Sequence, residues 1–303
     1  MLRFKFYFLF IFYTLLFLFY PGDTHYFHIF AYNRELFSKN EVKKEIKILP
    51  VPYLKNPYWL PEITAQGVYV VNLDNFTPIL KKNEKEKFLP ASLTKIITAL
   101  VSLDIYQPQQ VITIKKVVNE GQVMNLIAGE KITVENLLYG ILVHSANDAA
   151  FALAENYGYD RFIDLMNKKA QDLKMKNAHF TNPAGFDNPN HYSTPFDLTL
   201  AARALLKNPY LAKIAATKEI IIPDTEFKYF HRLTNVNQLL GAISGLGGLK
   251  TGYTQEAGQN LITFYKKNEH QYIITILKSE DRFYDTKQII EWINLNVDYL
   301  SFK

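Results

Sequence analysis

Ser92 and Lys95 are three residues apart in the stretch Pro90-Ala-Ser-Leu-Thr-Lys-Ile-Ile-Thr-Ala-Leu100. From Ser92 onward the stretch reads as a helix: Ile96, Ile97, Leu100 and Val101 form an apolar stripe, and Pro90 suits the entry. Residues three apart share one face of a helical turn. A serine hydroxyl is a poor nucleophile until a base takes its proton. A lysine amine serves as that base once burial, neighbouring cations or a helix dipole have lowered its pKa. The pair alone carries little weight, because two common residue types at this spacing occur about once by chance in a chain of this length.

Two further groups extend the pattern. Ser145-Ala-Asn147 interrupts two apolar helical stretches, Ile132 to Glu155, and a polar break of that kind is suited to face a cleft. Lys250-Thr251-Gly252, followed by Tyr253, lies in a strand. There a strand edge offers backbone donors, Lys250 a charge and Thr251 a hydroxyl, while Gly252 admits a close ligand.

The elements that must hold these groups follow from the hydrophobic pattern. Gly67 to Leu73 and Thr77 to Lys82 read as strands around a turn at Asp74-Asn75, with Asn75 suited to the turn. Val111 to Ile114 is a short strand. Phe162 to Leu173 and Pro195 to Leu206 are helices, the second capped by Thr194. Strands follow at Glu219 to Ile222, Gly248 to Tyr253, Asn260 to Lys266 and Gln271 to Leu277, and Arg282 to Asn296 is a closing helix. Strands at both ends and helices between them predict one sheet built from both ends of the domain, with helices packed on it.

The chain has 303 residues, 48% of them hydrophobic, enough for a sizeable core. There is no cysteine, which excludes disulfides, thiol nucleophiles and thiolate metal sites. The net charge of +5 comes from scattered basic residues, so nucleic-acid binding is not expected. Among seven histidines there is no H-E-x-x-H, which argues against a zinc peptidase; His144, His191 and also Asp148 read as structural. At the start, Arg3 and Lys5 precede an apolar run, Phe6 to Tyr20, and Pro21-Gly-Asp-Thr ends it. This is an export pattern over residues 1–25. No A-x-A-like site follows, so an uncleaved membrane anchor is favoured over a removed signal peptide, with the rest of the chain outside the cytoplasm. Residues 26–60, with prolines 50, 52 and 57 near their end and Pro61 just after, read as a stalk without regular structure, and 61–303 as the folded domain.

The three groups together resemble the penicillin-recognising serine enzymes, whose set is Ser-x-x-Lys, Ser-x-Asn and Lys-Thr-Gly; closely related sets are a standard signature of class A β-lactamases and penicillin-binding proteins. Wider stretches narrow this. Gly129-Glu-Lys-Ile-Thr-Val-Glu-Asn-Leu-Leu-Tyr-Gly, Ser145-Ala-Asn-Asp-Ala-Ala, Phe180-Thr-Asn-Pro-Ala-Gly-Phe-Asp, His191-Tyr-Ser-Thr-Pro-Phe-Asp-Leu and Gly248-Leu-Lys-Thr-Gly-Tyr-Thr-Gln-Glu-Ala-Gly are similar to the serine-type D-alanyl-D-alanine carboxypeptidases, the low-molecular-mass penicillin-binding proteins of peptidase family S11. The likeness spans roughly residues 61–296. It implies an α/β domain of the α+β type, β-lactamase/transpeptidase-like, with a mainly antiparallel sheet, flanking helices and a helical subdomain.

It also implies roles. Ser92 attacks the carbonyl of the penultimate D-Ala of a peptidoglycan stem peptide, and Lys95 takes its proton. Ser145 and Asn147 relay protons and hold the substrate amide. Lys250 and Thr251 bind the terminal carboxylate, and the nearby Lys250 charge helps keep Lys95 neutral. The backbone N–H groups of Ser92 and Tyr253 form an oxyanion hole. Arg282 sits where the family often has a carboxylate-binding arginine. β-Lactams would acylate Ser92, and no metal or organic cofactor is required. The chain departs from the pattern at Asn75-Phe76 and Ala146, where relatives often carry glycine, and few residues follow Asn296. A D,D-endopeptidase is the nearest alternative. A β-lactamase fits less well, because no glutamate lies between Asn156 and Lys218 to prime a deacylating water. A non-catalytic wall-binding scaffold would not need all these polar groups.

Overall fold

β-Branched and aromatic residues dominate the central strands, and their alternation serves two cores at once. In the strand Gly67–Asn72, Tyr69 and Val71 join one apolar cluster, while Val68 and Val70 join a second on the other face. A strand covered on both faces reads as a continuous hydrophobic run. The computed structural model describes residues 2–19 and 49–300.

In chain order the elements are α1 (Leu2–Leu18), β1 (Val51–Leu54), β2 (Gly67–Asn72), β3 (Pro78–Lys82), α2 (Lys95–Ile105), β4 (Val111–Thr113), β5 (Lys131–Thr133), α3 (Val134–Tyr139), α4 (Asn147–Tyr157), α5 (Tyr159–Asp172), α6 (Pro195–Lys207), α7 (Pro209–Ala215), β6 (Glu219–Pro223), β7 (Phe230–Thr234), β8 (Leu246–Thr254), β9 (Gly258–Lys267), β10 (His270–Ser279), α8 (Arg282–Asn296) and β11 (Val297–Leu300). A 3₁₀ turn, Ala91–Thr94, precedes α2, and a π turn, Gly140–His144, follows α3.

The chain forms two units, Met1–Ile48 and Leu49–Lys303. Of the first, the described part is α1, a 17-residue apolar helix. At 1.5 Å per residue it is about 26 Å long, short of the roughly 30 Å hydrocarbon core of a bilayer. Among the described residues no helix is long and apolar enough to cross a membrane.

The second unit is built on a five-stranded antiparallel sheet in the order β3-β2-β10-β9-β8. Strands from both ends of the unit thus meet in one sheet, as the sequence predicts. One face carries α8, whose Ile289, Trp292 and Ile293 fill the smaller core. The other face carries the helical block, with Leu93, Ile96 and Ile97 beside α2 in the larger core. Thr194 caps α6 by accepting from the Asp197 amide at 3.0 Å.

Three local expectations change. Residues 51–54 are not irregular: β1 pairs with β11 across Val51↔Leu300 to Leu54↔Val297, so the compact unit starts before residue 61. A proline is tolerated there because the ribbon has only two strands and therefore open edges. Of the rest of the expected stalk, 55–60 has no helix or strand, and 26–48 lies outside the described residues. Glu219 to Ile222 does not join the main sheet; β6 pairs with β7 in a separate hairpin. In the turn after β2 the left-handed residue is Phe76, at φ 59°, not Asn75. The Asn75 side chain instead bridges, donating to the Pro50 carbonyl and accepting from the Thr77 amide.

Candidate active site

Ser92 lies in the 3₁₀ turn Ala91–Thr94 rather than in a regular helix, and the α-helix starts at Lys95. The tighter turn still places the pair side by side: Lys95 Nζ is 2.9 Å from Ser92 Oγ. Ala91 takes a left-handed conformation, φ 49°, which thrusts the nucleophile into the cleft. Such strain in a non-glycine residue is held by its surroundings. Here Asn260 ties the loop to the sheet, donating to the Leu89 carbonyl at 3.0 Å and accepting from the Lys278 amide at 2.8 Å. Gly252 of β8 runs so close that a Cβ on it would lie 3.0 Å from the Pro90 carbonyl oxygen and 3.1 Å from the Ser92 nitrogen.

Lys95 is fully buried. Its Nζ donates to Asn147 Oδ1 at 2.7 Å and to the Ala184 carbonyl at 2.8 Å. Burial pushes its ammonium down to about 7, against an opposing pull from Asp148. A neutral amine has two N–H bonds and one lone pair. Both N–H bonds are taken by acceptors that cannot donate, so the lone pair is left for the Ser92 hydroxyl. That is the geometry of a general base poised on its nucleophile.

Ser145 ends the π turn with φ 63°, and α4 begins two residues later. A π turn and a left-handed residue together mark a functional break in a helix. Asn147 presents its oxygen to Lys95 and donates from Nδ2 to the Glu120 carbonyl at 2.8 Å, while its backbone N–H donates to the Gln122 carbonyl. Lys95 takes its oxygen and the Glu120 carbonyl one of its two Nδ2 hydrogens, so Asn147 orients Lys95 and keeps one amide N–H at the cleft wall. Asp148 is structural, as expected, accepting from the Met124 and Leu126 amides. His231 steadies the same segment, bonding to the Met124 carbonyl and to Glu130.

Ser92, Ser145, Asn147, Thr251, Gly252, Tyr253 and Arg282 line one cleft of about 570 Å³. Lys250 is not on its wall. It is 2% exposed and donates to the Thr251 carbonyl at 2.9 Å. Its pKa is held well below the usual ammonium range, first by burial and then by the charges of Lys95 and Arg282. The expected help of Lys250 in keeping Lys95 neutral is therefore minor beside burial. The cation on the wall is Arg282, at the start of α8, whose Nη1 donates to the Gly252 carbonyl at 2.8 Å while its Nε has no protein partner.

Several wall residues carry no signal in residue type alone. Glu120, Gly121 and Gln122 form one lip, Val236 another, and Ala184 to Asp187 a third. The third lip falls in the Phe180–Asp187 stretch that shares the family likeness. Asn182 Oδ1 organises it by accepting from the amides of Ala184, Gly185 and Phe186, and Asp187 closes it onto β8 by accepting from Thr254 Oγ1 at 2.9 Å. His191 supports it from behind. Its Nδ1 accepts from the Thr181 amide, so its Nε2–H donates to Thr94 Oγ1 at 2.8 Å. Burial, then His179 and Lys95, push it down to about 4, so it stays neutral and structural. His144 donates from Nδ1 to the Thr234 carbonyl and accepts from Gln122 Nε2, which makes it a wall support too.

A buried lysine aimed at a serine, beside a glycine-bordered strand edge and a cation, defines a site for acyl transfer through a serine ester. The chain belongs to the D-alanyl-D-alanine carboxypeptidase family, peptidase S11, whose model matches residues 55–281. It is 34% identical over 221 residues to D-alanyl-D-alanine carboxypeptidase DacF of Bacillus subtilis, covering 70% of this chain and 57% of that one. It is 33% identical over 239 residues to the D-alanyl-D-alanine carboxypeptidase of Streptomyces sp. K15, covering 72% and 82%. The crystal structure of the Streptomyces K15 DD-transpeptidase superposes with a TM-score of 0.73 at 33% identity, over 77% of this chain and 98% of that chain. The chain thus spans little more than half the length of the Bacillus protein and nearly all of the Streptomyces structure.

Proposed function

We propose that this chain is a serine D-alanyl-D-alanine carboxypeptidase that removes the terminal D-Ala from peptidoglycan stem peptides outside the cytoplasm. The observation that carries the reading is Lys95: buried, with both N–H bonds directed at carbonyl acceptors and its third contact on Ser92 Oγ. Ser92 Oγ attacks the carbonyl carbon of the penultimate D-Ala as its proton passes to Lys95 Nζ. The oxyanion is held by the backbone N–H groups of Ser92 and Tyr253. The C–N bond then breaks as Ser145 passes its proton to the departing D-Ala amine and takes the one held by Lys95, so that Lys95 is neutral again and an ester remains on Ser92. Water attacks that ester as its proton passes to Lys95, and the C–O bond to Ser92 breaks as Lys95 returns that proton to Ser92 Oγ, releasing the shortened peptide. Thr251 and Arg282 take the terminal carboxylate, and Lys250 supports the strand from behind by donating to the Thr251 carbonyl. β-Lactams acylate the same serine, and their esters persist. The apolar helix α1 with its basic start directs export and holds the chain at the membrane.

The test compares the full chain with Ser92→Ala. Penicillin is expected to add covalently to the first, seen by intact mass, and D-Ala to be released from a D-Ala-D-Ala peptide; both are lost in the variant. An adduct without D-Ala release would favour cross-link cleavage, rapid penicillin turnover a β-lactamase, and a folded chain with no adduct a scaffold.

Arg282→Gln tests the carboxylate contact. A charge-assisted hydrogen bond is worth about 1.5–3 kcal/mol. We therefore expect kcat/KM for a D-Ala-D-Ala peptide to fall by about 10–100-fold, mostly through KM. Hydrolysis of the same peptide with an amidated terminus should be unchanged. Equal losses on both peptides would show that Arg282 acts only by supporting Gly252.

A further inference from the structure

The edge of the second unit where the chain enters is apolar in a way that the cleft does not require. The segment before β2 runs along the end of α8. The Lys55 amide donates to the Asn296 carbonyl, the Asn56 amide to Asn296 Oδ1, and Trp292 Nε1 to the Trp59 carbonyl. The β1–β11 ribbon continues from the same helix end. On this one edge Val51, Tyr53, Tyr58, Trp59, Leu60 and Leu300 all stand out into solvent, Tyr58 at 93% and Leu60 at 61% exposed. Within the ribbon, Val51 faces Leu300 and Tyr53 faces Asp298, so the outward side chains of both strands form one surface. Of the formal charges beside it, Lys55 and Asp298 are paired with each other at 3.8 Å, and Lys267 donates to the Asn294 carbonyl at the end of α8. Several large exposed apolar side chains grouped on one edge mark a contact surface.

We infer that this edge docks on the interfacial zone of a lipid bilayer, through Trp59 and Tyr58 with Leu60, Val51, Tyr53 and Leu300 around them. Tryptophan and tyrosine favour the headgroup level, where one end of the ring is dry and the other wet. Beside the Lys55–Asp298 pair stands one further positive charge, Lys267, so the main match is to the apolar boundary itself. The chain reaches this edge first: Leu49 begins the unit, and the apolar helix α1 lies upstream at Leu2–Leu18. Residues 19–48 span at most about 100 Å when fully extended. A membrane-held α1 would keep the edge at high local concentration near lipid, so a small patch suffices. No residue of the edge lines the cleft, and the larger core on the far face of the sheet supports the cleft elements. Docking therefore leaves the cleft open.

This inference rests on the proposed membrane association of α1, and the experiment separates the two. The chain has two tryptophans, and Trp292 is buried while Trp59 is 42% exposed. The full chain is reconstituted with phosphatidylcholine–phosphatidylglycerol vesicles, with and without brominated acyl chains, and its tryptophan emission is read after flotation. The expected result is flotation with vesicles, a blue shift, and loss of emission in brominated vesicles. That loss is absent in Trp59→Phe and reduced in a Tyr58→Ser, Leu60→Ser variant. Flotation with unquenched Trp59 overturns the docking and leaves the α1 reading standing. Failure to float overturns both. A blue shift that depends on protein concentration and not on bromine assigns the edge to a second copy and rejects lipid.

Discussion

Lys95→Met is expected to slow acylation of Ser92 by penicillin about 10²–10⁴-fold, the usual contribution of a positioned general base. Methionine matches the unbranched, fully buried stem of Lys95 and carries no charge, so the packing around α2 is kept. Two acceptors, Asn147 Oδ1 and the Ala184 carbonyl, lose their donor. The variant should still fold, since a buried amine is removed at the same time, and an unchanged circular dichroism spectrum checks this. Acylation at an undiminished rate would remove Lys95 from the mechanism.

The same residue sets the pH dependence. An ordinary lysine at pH 7 is neutral in roughly one molecule in three thousand. Burial lowers Lys95 to about 7, so about half of the molecules carry the free amine at neutral pH. The base form lies above that value. The acylation rate should therefore fall about tenfold per pH unit below pH 7, and level off above it. His191, held down to about 4, is neutral throughout this range and adds no second step. A limb centred near pH 10 would mean that Lys95 is charged in the resting site. It would then act only as a hydrogen-bond donor to Ser92.

How far the site could be read in advance depends on the range of each contact. Ser92 and Lys95 are neighbours in one turn, and their meeting follows from spacing alone; a 3₁₀ turn in place of an α-turn does not separate them. Asn147 was legible as a polar break, but its engagement of Lys95 links positions 52 residues apart, and its second bond is to a backbone carbonyl at Glu120. The Ala184 carbonyl was invisible, because residue type says nothing about where a backbone oxygen points. Lys250 was legible as a strand cation, yet the register break between Gly248 and Lys250 accompanies a side chain that lies behind the wall, where alternation along an unbroken strand is no guide. The sheet was read well because its strands are long apolar runs. The β1–β11 ribbon was missed because its first strand contains Pro52 and is flanked by Pro50 and Pro57, and proline signals irregular chain unless the partner strand is known.

Gly185→Ala should be the most damaging single-methyl change in the molecule's catalytic unit. Gly185 has φ 92°, a conformation that L side chains rarely adopt, and an added Cβ would sit 1.8 Å from the Ala91 carbonyl oxygen. That oxygen belongs to backbone and cannot swing aside. Either the Ala91–Ser92 turn or the Asn182–Asp187 lip must move, and each carries a partner of Lys95 Nζ: Ser92 Oγ on one side, the Ala184 carbonyl on the other. A displacement near 1 Å at reacting groups costs about 10²-fold in rate. Backbone strain and overpacking together cost about 2–4 kcal/mol, which for a unit of this size lowers Tm by about 5–15 °C. Gly129→Ala is the matched control: its φ is 85°, but nothing lies within 4 Å of the added Cβ. It should show the strain alone, about 1 kcal/mol, with penicillin acylation unchanged. If the two variants acylate at the same rate, the contact between the lip and the nucleophile turn does not position the base, and the orientation of Lys95 must come from Asn147 alone.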